Sequence, residues 1–365
     1  MDILNIIQCT NLGGMEQSNL LLLRGLKIRG HSIRLVSLNP LGGLSPRLEE
    51  EGIPSLGLEY RGRFGWQSMP AMRRAFSTPP PDAVLMTGHN ITAMLVLARL
   101  MPIRRVLAIH YHHFERPGDY RRWKLFYGFA TKIFSHITFA SALIRDEALS
   151  ISPNLEKVSY VVPNPFEVGR VPRADEKARA RASLGIFPGT KVVGNAGWLI
   201  PRKRFDVFLY VASEILIHQP DTVFLIAGDG PEKDGLLGLA RDLGIDQRVI
   251  FTGWQADLNN FYSSLDVMLF NTDFDALGRT PAEAAACGVP VVASVIHGGL
   301  PELFRSHDEA IIFREHDIHG LAQSVVNLLS NPDYHDALAK RGRARVAEYG
   351  DLERHAATME MLLES

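Results

Sequence analysis

Three consecutive cations, Arg202-Lys203-Arg204, follow an apolar run at Val192–Ala196 and precede an apolar-periodic stretch at Asp206–Ile217. The run reads as a strand and the stretch as a helix. Cations just before a helix are out of place, because the N-terminal end of the helix dipole favours acids. A bound diphosphate accounts for them better than a solvated basic loop does. A second anion-suited segment runs Asp275-Ala276-Leu277-Gly278-Arg279-Thr280-Pro281-Ala282-Glu283. Here Thr280 reads as an N-cap, Pro281 as the first helical residue and Glu283 as the other half of a capping box. Gly288 and Pro290 stop the helix after two turns. The N–H groups after Gly278 then form an anion site, with Arg279 as a clamp. The capping box alone would account for Glu283; a ligand contact is the favoured reading.

Other residue types are weaker pointers. Gly13-Gly14 follows the first strand and opens a helix, which suits close backbone approach to a phosphate. No GxGxxG accompanies it, so a dinucleotide oxidoreductase is disfavoured. Asp273-Phe274-Asp275 has the DxD spacing of some divalent-metal sites, a two-letter pattern common by chance. His110, His112 and His113 follow the strand at Val106–Ile109. One strand end seldom aims three histidines at one ion, so His110 alone, orienting a substrate or moving a proton, is the favoured reading. Between Tyr120 and His136, Trp123, Phe126, Tyr127, Ala130, Ile133 and Phe134 share a helical stripe, with Arg121, Arg122, Lys124 and Lys132 among them. A core-facing helix is favoured there over one lying on an anionic bilayer.

Elements must hold these residues in place. The 365 residues suit two domains, and 46% hydrophobic with 22% charged excludes a disordered or supercharged chain. Strand-like and helix-like segments alternate throughout, which predicts parallel sheets with crossover helices. The first alternation ends near Pro163-Asn164-Pro165, and the charged stretch from Arg170 to Arg181 reads as a linker. The expected division is residues 1–165, completed by a helix at 352–364, and 166–349. Residues 1–165 carry 19 Lys+Arg against 12 Asp+Glu (+7), and the rest 20 against 28 (−8). A basic first half suggests an anionic acceptor or membrane surface. No apolar run has the roughly 18–20 residues of a membrane span. The acid at Asp2 argues against a signal peptide, and two cysteines, Cys9 and Cys287, give no disulfide framework. A cytoplasmic chain is expected, working peripherally at the inner membrane face.

Taken in order, these segments resemble glycosyltransferase family 4, the retaining enzymes of the GT-B fold. Asp275 and Glu283 hold the two acidic positions of the family's Glu-x7-Glu signature, followed by Ala284-Ala285-Ala286-Cys287-Gly288-Val289-Pro290-Val291-Val292-Ala293. Gly228-Asp229-Gly230-Pro231, Val249-Ile250-Phe251-Thr252-Gly253 and Gly298-Gly299-Leu300-Pro301-Glu302 match its other segments. The first acid is Asp275 where the family has Glu, and Trp198 stands where it usually has an arginine on the diphosphate.

The resemblance implies an α/β GT-B fold of two Rossmann-like domains with parallel sheets facing a central cleft. It further implies a hexosyl-type transfer from a nucleotide-diphosphate sugar to a glycan or lipid-linked acceptor, with retention. Glu283 would bind the ribose hydroxyls and Asp275 would approach the donor sugar. Lys203 and the N–H groups after Gly278 would hold the diphosphate, and Gly13-Gly14 match the phosphate-side glycines. Arg202, Arg204 or Arg279 would replace the missing arginine, and His110 would line the acceptor side. No metal, no other cofactor and no nucleic acid is expected. The competing readings are an epimerase or phosphorylase on the same fold, and a silent nucleotide-sugar-binding homologue.

Overall fold

The computed structural model describes residues 1–61, 65–100, 104–110, 118–255 and 257–365. The chain divides into two compact units, Met1–Phe166 with Gly350–Ser365, and Glu167–Tyr349. Among the described residues each unit holds one all-parallel sheet. Unit 1 contains β1 (Asp2–Ile7), β2 (Ser32–Ser37), β3 (Ser55–Gly57), β4 (Ala83–Thr87), β5 (Arg104–Ile109), β6 (His136–Phe139) and β7 (Ser159–Val161). Unit 2 contains β8 (Val192–Ala196), β9 (Val223–Ala227), β10 (Val249–Gly253), β11 (Val267–Asp275), β12 (Val291–Gly298) and β13 (Ile311–Phe313). Parallel neighbours need crossover connections, so helices cover the sheets and the strands read as nearly continuous apolar runs.

The spatial orders are β3-β2-β1-β4-β5-β6-β7 and β10-β9-β8-β11-β12-β13. Both sheets reverse direction beside their first strand, between β1 and β4 and between β8 and β11. In such sheets the crevice for ligands opens beyond the carboxyl ends at that reversal. Gly13-Gly14 follow β1, Arg202-Lys203-Arg204 follow β8, and Asp273 and Asp275 end β11. Topology thus selects the loops on which the chemistry-bearing residues lie.

In unit 1 the helix Gly14–Ile28 buries Leu20, Leu22, Leu23 and Leu26 against the sheet and ends before Gly30, at φ 92°. The helix Leu352–Glu364 packs on it. A Cβ at Gly25 would meet Ala356 at 2.8 Å, and Arg29 donates to Glu360 at 2.7 Å. In unit 2 the core is built on the helices Phe205–His218 and Ile318–Ser330 against β8, β9, β11 and β12.

The stretch from Arg170 to Arg181, read above as a linker, is helical from Ala174 to Ser183. Lys177 and Arg181 both reach Asp266, at 2.8 and 2.7 Å, which anchors that helix to unit 2. Its charge comes from these contacts and from a solvated outer face. β11 also outruns its apolar run, because Phe274 and Asp275 pair with His297 and Gly298 of β12.

Candidate active site

Among the described residues, three of the ion pairs at the carboxyl edge of the unit 2 sheet join residues singled out in the sequence. Asp273 and Asp275 lie two apart on β11, so their side chains share a face of the strand. They meet successive residues of the loop after β8. The Lys203 ammonium is paired with Asp275, and Arg204 donates to Asp273 at 3.1 Å. Asp275 also accepts from the backbone N–H groups of Gly278 at 2.8 Å and Leu277 at 3.2 Å. Burial pushes its pKa up, but Lys203 and these two N–H groups outweigh that and leave it below the usual carboxylate range. Asp275 is therefore ionised at pH 7. Lys203 also lies 5.5 Å from the centre of the Phe270 ring.

Arg204 adopts a left-handed backbone at φ 46° and splits its guanidinium between Asp206 and Asp273. Asp273 accepts a second contact from His316 Nε2 at 2.9 Å, and His316 Nδ1 meets the buried Ser294 hydroxyl at 2.7 Å. This chain from β12 to Arg204 fixes the basic loop from behind. The two carboxylates of the DxD spacing thus turn to separate cations, and among the described residues no cluster of three His, Cys, Asp or Glu side chains could hold a metal.

The third pair corrects an expectation. The helix runs Arg279–Ala286 with Gly278 as its N-cap, at φ 85° and with no side-chain cap; Thr280 falls inside the first turn. A Cβ at Gly278 would stand 2.6 Å from Leu300. No Thr280–Glu283 capping box forms. Glu283 instead accepts from Arg279 Nε at 2.6 Å and from the Tyr262 hydroxyl at 2.8 Å. The i, i+4 spacing wins because Arg279 lies one turn before Glu283, and Tyr262 of the short helix Asn259–Ser264 reaches it from the other side. A carboxylate has about four acceptor sites, so Glu283 keeps capacity for two further donors. Arg279 is engaged by Glu283, and the Arg202 backbone carbonyl accepts from Thr272 at 3.0 Å.

Unit 1 presents a different edge. Gly13 is the N-cap of the first helix, and that helix carries its own acid, Glu16, in its first turn. Cys9 donates to Glu16 at 3.3 Å. Behind the turn, Asn5, Asn19 and Thr87 form a buried neutral network, with Thr87 donating to Asn19 at 2.8 Å. His110 follows β5 and lines a small cavity with Ser18, Asn19, Thr138 and Asn164. Burial lowers its pKa to about 4, against a smaller opposing effect of the Asn164 side chain. His110 is therefore neutral at pH 7, and among the described residues its buried Nδ1 has no hydrogen-bond partner. His112 and His113 lie outside the described residues.

The helix Asp119–Ile133 has two faces. Trp123, Phe126, Tyr127 and Ala130 are buried, as the core-facing reading expects. The outer face exposes Leu125 (65%) and Phe129 (50%) among the exposed Arg121, Lys124 and Lys132, which the stripe alone did not bring out.

A family model for glycosyltransferase family 4 matches residues 12–170, and one for glycosyl transferases group 1 matches residues 176–345. The chain belongs to glycosyltransferase family 4. Its similarity to the lipopolysaccharide core biosynthesis glycosyltransferase LpsE of Rhizobium meliloti is 31% identity over 199 residues, 54% of this chain and 55% of that protein. A D-inositol 3-phosphate glycosyltransferase of Mycobacterium sp. (strain KMS) is 36% identical over 163 residues, 42% of this chain and 36% of that protein. The matches thus span about half or less of these relatives' own length. Anabaena Alr3699/HepE in complex with UDP and glucose superimposes over 100% of both chains at a TM-score of 0.84 and 21% identity. WaaG, a glycosyltransferase involved in lipopolysaccharide biosynthesis, does so over 100% and 99% at 0.75 and 16%. The family member described here accordingly has the GT-B fold.

Several residues of this edge carry no local signal in the sequence. Tyr262 and His316 reach their carboxylates from 21 and 43 positions away, and only the fold brings them there. Trp198 and Trp254 each follow a glycine at the end of a strand, Gly197 after β8 and Gly253 in β10, and the fold brings them to this edge.

Proposed function

We propose that the chain is a retaining glycosyltransferase moving a sugar from a nucleotide-diphosphate sugar to a glycan or lipid-linked acceptor in glycoconjugate assembly. The observation that carries this reading is the Lys203–Asp275 pair at the sheet reversal of unit 2, beside the glycine-capped helix Arg279–Ala286. Departure of the leaving group places negative charge on the diphosphate. Lys203 and the backbone N–H groups after Gly278 are fixed donors suited to that charge. Asp275 holds Lys203 in place and stays ionised, which suits it to a positively charged sugar centre. Glu283, already oriented by Arg279 and Tyr262, is assigned to the ribose hydroxyls. His110, neutral at pH 7, is assigned to the acceptor.

Arg204 and His316 occupy Asp273, and Lys203 occupies Asp275, so the charge on the diphosphate is assigned to side chains and helix N–H groups, with no metal. The relatives' names, a lipopolysaccharide core biosynthesis glycosyltransferase and a D-inositol 3-phosphate glycosyltransferase, support glycoconjugate assembly and leave the acceptor open. The outer face of the helix Asp119–Ile133 supports peripheral contact with an anionic membrane surface. Sedimentation with anionic vesicles tests it, and protein left wholly in the supernatant would remove that part of the reading.

The first test is thermal stability with UDP, GDP, ADP and dTDP, each with excess magnesium or with EDTA. A ligand at about 100 times its Kd adds roughly 2.7 kcal/mol, enough to move Tm by degrees. One diphosphate stabilising equally in EDTA supports the donor site and its independence of metal. A shift confined to magnesium returns Asp273 and Asp275 to a metal-binding role, and no shift with any of the four removes the donor assignment. Sugar transfer to an added acceptor then separates a transferase from an epimerase, which needs none. The anomeric configuration of the product, read by NMR, tests retention.

A further inference from the structure

Two of the four tryptophans stand together at the carboxyl edge of unit 2, with ring centres 4.8 Å apart and planes tilted by 42°. Trp198 is 54% exposed and Trp254 43%. Each follows a strand-end glycine, Gly197 after β8 and Gly253 at the end of β10, and β9 lies between those strands. The three strand ends are laced by backbone. Gly197 N–H donates to Ala227 at 2.9 Å, Gly228 N–H to Gly253 at 2.8 Å, and Leu199 N–H to Asp229 at 2.9 Å. A Cβ on Gly228 would stand 1.8 Å from the Gly197 carbonyl oxygen, and one on Gly230 2.4 Å from that of Leu199. The backbone beneath the indoles therefore has little freedom, and the pair is held over the end of β9.

A half-exposed indole pair adds little to folding, since its flat apolar faces stay in water. The same loop is short of uncommitted cations: Lys203 is paired with Asp275, and Arg204 with Asp206 and Asp273. Trp198 heads the same loop, and an indole offers an anion no charge. It offers a planar face, which a nucleobase can match with its own.

We propose that Trp198 and Trp254 form a stacking platform for a nucleobase, so that this chain grips its nucleotide more by the base and less by the diphosphate. The inference rests on the donor reading above and deepens it. The base stacks on the exposed face of the pair while the other indole buttresses it, and the nucleotide keeps much of its affinity when the terminal phosphate is removed.

Calorimetry on the full chain tests this with UDP, GDP, ADP and dTDP, their monophosphates and inorganic pyrophosphate. The preferred monophosphate is expected to bind within about tenfold of its diphosphate. W198A and W254A are expected to weaken both by about tenfold or more, in line with one lost base–aromatic stack, while leaving pyrophosphate binding unchanged. W198F and W254F should retain most of the affinity, and W198R should shift preference towards the diphosphate. Because both side chains are half exposed, the variants should melt close to the parent. A diphosphate that binds equally well to the alanine variants overturns the platform and leaves the donor reading standing. Pyrophosphate binding as tightly as the nucleotide does the same. If none of the four diphosphates binds, the platform and the donor reading fall together.

Discussion

The two units share a topology and differ in what they place at the sheet reversal. In unit 1 the loop after β1 leads into a helix that supplies its own acid, Glu16, over a neutral network of Asn5, Asn19 and Thr87. In unit 2 the loop after β8 carries three cations, two of which, Lys203 and Arg204, pair with carboxylates. Among the described residues the first edge is polar and carries little charge, and the second is dense in opposed charge. The lesson is that the strand order selects where a ligand can sit, while the loop sequences select its charge. On the donor reading proposed above, the anionic diphosphate falls to unit 2 and the hydroxyl-bearing acceptor to unit 1.

The strongest way to break this comparison is to remove the central cation. Lys203→Ala is expected to lower donor-dependent turnover by roughly a hundredfold or more, as loss of one fixed charge-stabilising donor does. Asp275, losing Lys203, should then titrate higher, which the pH profile of the variant's donor binding would show. Unchanged turnover would mean that unit 2 does not hold the diphosphate through this loop.

Glycines sharpen the contrast next. Gly228 has φ 146° and sits against the backbone of Gly197, so Gly228→Ala should cost about 3 kcal/mol in urea unfolding. A loss below about 1 kcal/mol would show that the strand-end lacing yields easily.

The acid response of unit 1 comes after that. His110 has its pKa lowered from 6.5 to about 4, so the unfolded chain binds more protons in that window. Its contribution to stability is complete above the unfolded value and is lost as pH falls from 6.5 towards 4. Between pH 7 and pH 5 the loss should be about 2 kcal/mol. The difference in denaturant stability between the parent and His110→Gln should therefore change over that range, and a constant difference would refute the neutral assignment.

The smallest effect is expected at Gly13. Its φ of −83° suits any residue, and an added Cβ would meet only the flexible carboxylate end of Glu16. Gly13→Ala should cost about 0.5 kcal/mol in thermal unfolding. A cost as large as that of Gly228→Ala would end the contrast between the two edges.

Much of this arrangement was legible in the residues. The strands at Val192–Ala196 and Val223–Ala227 follow from their apolar runs, and the basic loop and Asp275…Glu283 segment stood out by type and spacing. The capping box was misjudged because three-residue spacing is shared by two local solutions. Arg279 and Tyr262 supply Glu283 with better partners than a backbone N–H of its own helix turn. The linker was misjudged because a charged, weakly amphipathic segment looks solvated until its partner, Asp266, is placed beside it.

By itself the sequence determined the alternation of strands and helices, the α/β class and the family, because apolar periodicity and ordered short motifs are local properties of the chain. Tertiary structure alone decided which charges meet. It set Lys203 on Asp275, Arg204 and His316 on Asp273, and Trp198 beside Trp254. Those pairings join strand ends many positions apart, and strand order, which no local pattern encodes, brings them within hydrogen-bonding or stacking distance.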